Sequence, residues 1–150
     1  MKNVFIFLFA ILAFTACQEN HEEETHHVNS TIENARDGMF IHVTSEDPHR
    51  VLMAMQMAAM VSEDHDVVMY FDIDGVKVLL DDAADLEYAQ FPSSHSQIKN
   101  LIEKGITIMA CPGCLKAAGH TPEDLMEGIK VANKETFFNF TKGRIITLDY

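Results

Sequence analysis

The stretch that decides the fold is Ile106–Cys114, which reads ITIMACPGC. Its first five residues form a short run rich in apolar and β-branched side chains, which predicts a buried β-strand. The strand leads directly into Cys111-Pro112-Gly113-Cys114, where the Pro-Gly pair favours a tight turn. In open parallel sheets, ligands and chemistry gather at the carboxyl ends of the strands. The sequence therefore predicts that both thiols lie at the functional edge of a sheet.

Similar apolar runs recur on both sides of this stretch and predict four more strands, at 39–44, 66–71, 129–132 and 145–148. Cap and proline signals predict the helices between them. One helix begins at Asp47-Pro48, one is capped by Ser93 or Ser94 and closed by Gly105, one spans about 121–128, and one is capped by Asn133 and buries Phe137, Phe138 and Phe140. Strands that alternate with helices and are apolar on both faces predict an α/β domain whose mostly parallel sheet is covered on both faces.

The Cys111–Cys114 motif predicts a reactive thiol. A helix beginning at Leu115 would direct backbone N–H groups and its positive dipole end at the sulfurs, which lowers a thiol pKa below the free value of about 8.5. Lys116 would add a positive charge if its side chain pointed inward. The predicted domain contains no other cysteine, so a chemical role is favoured over two inert thiols or a static disulfide.

Two other kinds of thiol site fit the sequence less well. A thioredoxin fold places its C-x-x-C motif early and a proline-bearing strand well downstream, whereas here the only later proline is Pro122, at a helix start. A structural zinc site needs four ligands, and there is no second C-x-x-C. His120 is the nearest further candidate ligand, with His42 and His95 available from other strand ends, and thiolates would also suit copper(I). No resident metal or cofactor is therefore expected.

The first residues resemble a bacterial lipoprotein signal. Lys2 is followed by the apolar run Val4–Phe14, which at 11 residues is too short to span a bilayer but suits a signal-peptide core. Cys17 follows Phe14-Thr15-Ala16 as a lipidated cysteine would, although Phe14 stands where the lipobox prefers Leu. We expect a signal peptide over 1–16, a lipid on Cys17, and export to face the periplasm or the cell surface, with ordinary cleavage and secretion as the alternative.

Composition limits the remaining possibilities. The segment 17–37 is polar and without periodicity, which predicts a flexible tether, and 38–150 is long enough for one domain with its own core. The net charge of −12 argues against nucleic-acid partners, which require a basic surface. Membrane contact is accordingly expected only through the lipid.

The second half of the chain contains a series of short motifs, namely Cys111-Pro112-Gly113-Cys114, Gly119, Glu123-Asp124-Leu125 and Gly128-Ile129, followed by a helix and a short final strand. These motifs resemble those of the DsrE/DsrF-like family, in particular its YchN-type branch with C-x-x-C. The first half is similar in its opening strand, Asp47-Pro48, and Phe71 with Gly75-Val76. The resemblance covers about 38–150.

This resemblance implies a three-layer fold with a parallel five-stranded sheet, often assembled into homo-oligomers. It also implies that the cysteine ending the third strand, here Cys111, carries a persulfide in a sulfur relay. We therefore expect an exported sulfurtransferase or persulfide carrier, with Cys114 as resolving thiol and an unidentified sulfane-sulfur donor or acceptor as partner. The alternatives are a non-catalytic protein that binds copper(I), a small ligand or a partner, and a surface thiol–disulfide oxidoreductase.

Overall fold

The computed structural model describes residues 35–150, so Cys17, the predicted signal peptide and most of the predicted tether lie outside the described residues. All five predicted strands are present, each within one residue of its predicted ends. The strands are β1 (Gly38–Val43), β2 (Asp66–Phe71), β3 (Thr107–Ala110), β4 (Lys130–Val131) and β5 (Ile145–Asp149). The helices are α1 (Pro48–Val61), α2 (Ser94–Glu103), α3 (Pro112–Ala117) and α4 (Lys134–Phe138), with 3₁₀ helices at Ile73–Leu79 and Pro122–Asp124.

The five strands form one sheet in the order β4-β3-β2-β1-β5, and every neighbouring pair is parallel. The predicted α/β class is confirmed, with a sheet that is parallel throughout. The register places His42 opposite Tyr70 on one side and Asp149 on the other. Carboxyl ends from β3, β2, β1 and β5 therefore lie side by side along one edge.

The strand order explains why the two faces of the sheet are covered unequally. From β1 through β4 each connection moves in the same direction across the sheet, and because such crossovers are right-handed, α1 and α2 lie on one face. The connection from β4 to β5 runs back across the sheet, which places α4 on the opposite face. The core clusters agree with this arrangement. Met55 and Leu101 pack over Ile41 and Ile108 on the first face, whereas Phe137 packs over Phe40 on the second.

The first face contains the main hydrophobic core. Asp47 caps α1 by accepting a hydrogen bond from the Arg50 backbone N–H at 3.0 Å, and Pro48 occupies the first helical turn. The helix then buries one face against the sheet and α2; its buried residues are Val51, Leu52, Ala54, Met55 and Ala58. No helix formed by residues 35–150 is both long and apolar enough to cross a membrane.

Two predicted details of the chain after α3 are wrong. The helix expected over 121–128 is a single 3₁₀ turn, Pro122–Asp124, that ends well before Gly128. Asn133 does cap α4 as predicted, accepting from the Glu135 and Thr136 N–H groups, but Phe138 is 59% exposed rather than buried. A helix of this length turns only one narrow face to the sheet, and Phe137 occupies it.

Candidate thiol site

Cys111 lies where β3 ends and α3 begins. Its backbone N–H donates to the Phe71 carbonyl at 2.8 Å, which fixes it beside the end of β2, and its own carbonyl accepts from the Leu115 N–H at 2.9 Å. The helix therefore begins at Pro112, and the expected start at Leu115 is wrong. Proline is favoured at the first helical position because its fixed φ suits the helix and its missing N–H is not needed there. Cys114 consequently lies within the first turn of α3.

The surroundings of Cys111 favour its thiolate. Partial burial tends to raise the pKa of the Cys111 thiol, but hydrogen bonds to the sulfur outweigh it. The donors are the Tyr70 hydroxyl, the backbone N–H and thiol of Cys114, and the Gly113 backbone N–H. The net result is a pKa below the ordinary cysteine value, and Cys111 is thus the better nucleophile of the pair near neutral pH.

Cys114 is shifted in the opposite direction. The Ile73 backbone N–H favours its thiolate, but burial, the neighbouring Cys111 sulfur and the negative charge of Asp72 together raise the pKa of Cys114. Ile73 reaches this position with φ of 48°, a left-handed conformation that a β-branched residue seldom adopts. Such strain is typically retained where it aims a backbone group at a functional site. Both cysteines are free thiols and partly exposed.

Among the groups that favour the Cys111 thiolate, the Tyr70 hydroxyl has the largest effect. Tyr70 projects from β2 on the face opposite α1, with its ring 5.0 Å from that of Phe137 and 5.4 Å from that of His42. Burial and the neighbouring Cys111 sulfur raise the pKa of the Tyr70 hydroxyl far above its ordinary value. The raised pKa keeps the hydroxyl protonated near neutral pH, where it can donate to the Cys111 sulfur.

His42 lies between two carboxylates on the next strands. Its Nδ1 is 2.9 Å from Oδ1 of Asp149, and its Nε2 is 3.0 Å from Oδ2 of Asp72 without the alignment of a hydrogen bond. Burial disfavours the imidazolium, but these two contacts outweigh it and raise the pKa of His42. Asp149, His42, Asp72, Tyr70 and the thiols thus form a row across the carboxyl ends of four neighbouring strands.

The other predicted site residues lie elsewhere. Lys116 is exposed in the last turn of α3. Nδ1 of His120 is 3.7 Å from Oδ2 of Asp124, and Nδ1 of His95 is 4.0 Å from Oδ1 of Asp85. Each candidate histidine thus lies beside a different carboxylate, and the three are not brought together. Within residues 35–150, no group of three or more His, Cys, Asp or Glu side chains is arranged to hold a metal ion.

Tyr70, Asp72 and Asp149 are site residues that the sequence alone does not identify. Their one sequence signal is position, because each lies at or just after the end of a predicted strand. Which strand ends are neighbours depends on the sheet order.

Known proteins share this fold and part of this sequence. An uncharacterised protein of Methanocaldococcus jannaschii, MJ0989, is 37% identical over 54 residues, which are 36% of this chain and 47% of that protein, so the match spans about half of the relative's length. The structure of MTH1491, a protein of unknown function from Methanobacterium thermoautotrophicum, superimposes with a TM-score of 0.58 at 20% identity over 74% of this chain and 98% of its own. The ychN protein of E. coli superimposes with the same TM-score at 12% identity, over 75% of this chain and 99% of its own.

These two structures share the fold of this chain, and the family follows from a sequence comparison. The profile of the DsrE/DsrF-like family matches residues 37–147, from the residue before β1 into β5. The match includes the thiol turn and most of the row of strand ends beside it. The chain belongs to the DsrE/DsrF-like family.

Proposed function

We propose that this protein handles sulfane sulfur, with Cys111 as nucleophile and persulfide carrier and Cys114 as resolving thiol. The observation that carries the proposal is that the pKa values of two thiols in one helical turn are shifted in opposite directions. The pKa of Cys111 is lowered by donors fixed around its sulfur, and that of Cys114 is raised. Cys111 therefore ionises readily and can act as the nucleophile, whereas Cys114 ionises less readily. The sulfur-relay members that the family resemblance implies support a persulfide as the product.

The loading step requires only a thiolate. The Cys111 thiolate attacks the outer sulfur of a persulfide donor, R–S–SH, a new S–S bond forms, and R–S⁻ leaves with the electron pair of the broken bond. The product is Cys111–S–SH. Delivery repeats the exchange with an acceptor thiolate, and the Cys111 thiolate is the leaving group. A low pKa favours both steps, because a thiolate is required for attack and a more acidic thiol leaves faster.

Cys114 offers a second outcome. Its thiolate can attack Sγ of Cys111, which expels the outer sulfur as hydrosulfide and forms a Cys111–Cys114 disulfide. A dithiol reductant then restores both thiols and is itself oxidised to a disulfide. The raised pKa of Cys114 keeps this reaction slow, which extends the lifetime of the persulfide.

The proposal includes the location expected from the sequence. The signal over 1–16 and lipidation at Cys17 would hold the domain at a membrane, facing the periplasm or the cell surface. The sulfane-sulfur donor and acceptor would then be thiol compounds or proteins of that compartment.

Sulfur loading can be tested by mass spectrometry. The reduced full chain carrying Cys17→Ser, which leaves only the site thiols, is incubated with glutathione persulfide and freed of donor. We expect a gain of one sulfur atom, which is lost on treatment with a thiol reductant. Cys111→Ser should abolish the gain, whereas Cys114→Ser should preserve it and prolong its lifetime.

Other results would contradict the proposal. A loss of two hydrogens in the chain with both cysteines, together with no sulfur gain in Cys114→Ser, which cannot form the Cys111–Cys114 disulfide, would indicate a thiol–disulfide oxidoreductase. Equal loading in Cys111→Ser and Cys114→Ser would show that Cys111 is not the specific carrier.

A further inference from the structure

Asp72 connects His42 to the thiol pair. It follows the last residue of β2, and its backbone N–H donates to the Val43 carbonyl at 3.1 Å, which holds it against the end of β1. Its Oδ2 faces His42, while its Oδ1 is buried without a hydrogen-bond partner. The 3₁₀ helix that begins at Ile73, the residue after Asp72, packs against α3, which carries Cys114. The negative charge of Asp72 accordingly raises the pKa values of Cys114 and Tyr70. One carboxylate therefore contacts the histidine and also disfavours the Cys114 thiolate.

His42 is well placed to control that charge. Asp149 fixes the Nδ1 side of its ring, and the Tyr70 ring stacks on it with an interplanar angle of 27°. The ionisable groups that face His42 are thus Asp72 and Tyr70 from β2 and its end, and Asp149 from β5. Two of these are carboxylates, and their contacts favour the imidazolium. A cation at this position offsets the charge of Asp72.

We propose that His42 is a positioning residue of the thiol site, which acts by offsetting the Asp72 carboxylate and so sets how readily Cys114 ionises. The inference rests on the proposed function for its biological meaning, because Cys114 ionisation determines how long a sulfur-loaded Cys111 persists. His42 itself does not contact the reacting sulfurs in this role. Its effect on Cys114 is transmitted through Asp72.

The test measures Cys114 alone. In the full chain carrying Cys17→Ser and Cys111→Ser, Cys114 is the only remaining thiol. Its reaction rate with a neutral pyridyl disulfide is followed across pH, with and without His42→Gln. Loss of the imidazolium leaves the Asp72 charge unopposed, so we expect the Cys114 reaction rate to fall by roughly threefold to tenfold at a pH below the pKa of His42. The difference should close as the pH rises through that pKa, where His42 is neutral in the parent chain as well. His95→Gln, which alters a histidine beside a different carboxylate, should leave the profile unchanged.

A second substitution separates the charge effect from a structural one. When Asp72→Asn is present, His42→Gln should have no further effect on the profile, since there is no carboxylate to offset. Asp149→Asn, at an exposed carboxylate on the edge strand, provides a milder variant. In Asp149→Asn, the imidazolium of His42 has lost one of its two anionic neighbours and gives up its proton at a lower pH. The effect of His42 on Cys114 should therefore disappear at a lower pH than in the parent chain.

Two results would overturn the inference. In the first, His42→Gln leaves the Cys114 profile unchanged. In the second, it slows Cys114 equally with and without Asp72. Neither result affects the loading of Cys111, which is measured separately on the chain with both site cysteines. Conversely, a chain that takes up no sulfane sulfur would refute the proposed function and still allow His42 to control Cys114.

Discussion

Removing one oxygen atom from Tyr70 tests the arrangement around Cys111. Tyr70→Phe keeps the ring that packs on His42 and Phe137 but deletes the hydroxyl that donates to the Cys111 sulfur. A hydrogen bond to a charged group contributes about 1.5–3 kcal/mol. Cys111 is partly exposed, so water replaces part of the lost bond. We therefore take the net loss of free energy as about 1.4 kcal/mol, just below that range. A loss of this size makes the acid dissociation constant of the Cys111 thiol about tenfold smaller.

The consequence for reactivity has opposite signs at the two ends of the pH range. At a pH below the pKa the thiolate population falls about tenfold, but the more basic thiolate is intrinsically more nucleophilic. With a Brønsted coefficient of about 0.4–0.5, this recovers about threefold, so the net rate of thiol–disulfide exchange falls about threefold. Above both pKa values, where Cys111 is fully ionised in either protein, Tyr70→Phe should react about threefold faster than the parent. The two rate profiles should therefore cross.

The assay is the initial rate of reaction with a neutral pyridyl disulfide, measured from pH 5 to pH 10 in the reduced chain carrying Cys17→Ser. Peptide mass spectrometry assigns the modified thiol to Cys111. Tyr88→Phe is the matched control, because Tyr88 stacks on His49 at 4.3 Å and has no contact with the thiols. Profiles that superimpose would refute the role of the hydroxyl. A decrease by the same factor at every pH would indicate restricted access to the sulfur instead.

Three further predictions concern stability and export. Gly75→Ala should lower the free energy of unfolding by about 1–3 kcal/mol in urea titrations. The reason is that a Cβ at this position would overlap the Val43 carbonyl oxygen and push the first 3₁₀ helix away from β1. An unchanged unfolding midpoint would contradict this. The raised pKa of His42 means that its ion pairs stabilise the fold fully below about pH 6.5 and are lost as the pH rises through the folded-state pKa. The parent should thus exceed His42→Gln in stability by about 0.5–1 kcal/mol at about pH 5.5 and by less at about pH 9, and a gap that widened with pH would exclude this linkage. Cys17→Ala should move the protein from the membrane to the soluble fraction of fractionated cells, and retention in the membrane would show that Cys17 is not the anchor.

The strands could be predicted from sequence because their signals are local. Each strand is a short apolar run. Side chains on both faces of the central strands β1, β2 and β3 are buried or half-buried, so these runs are continuous and their ends are sharp. The burial of Phe138 was wrong for a different reason. The sequence contains three phenylalanines in four positions, but how many of them reach the sheet depends on the length of α4, and this helix has only five residues.

The thiol site could be predicted only in part. Cys111 and Cys114 were found because their chemistry is carried by neighbouring residues at the end of one strand. Tyr70, Asp72 and Asp149 come from two other strands, and their proximity depends on sheet order and register. Asp149 meets His42 because β5 returns across the sheet to pair with β1. Hydrophobic patterning predicts a strand at β5 but does not specify its neighbour.

The direction of β1 places the start of the domain and the thiols at opposite edges of the sheet. The chain enters the sheet at Gly38, at the amino edge. Close to this edge the Arg36 guanidinium donates hydrogen bonds to the backbone carbonyls of Ser62, Asp64 and His65. Cys111 lies at the carboxyl edge, one strand length of about 20 Å away. With a lipid on Cys17, as proposed, the membrane would hold the domain from its amino edge. The thiols would then lie at the edge of the domain opposite the point where the tether joins it, which leaves them accessible to large protein partners.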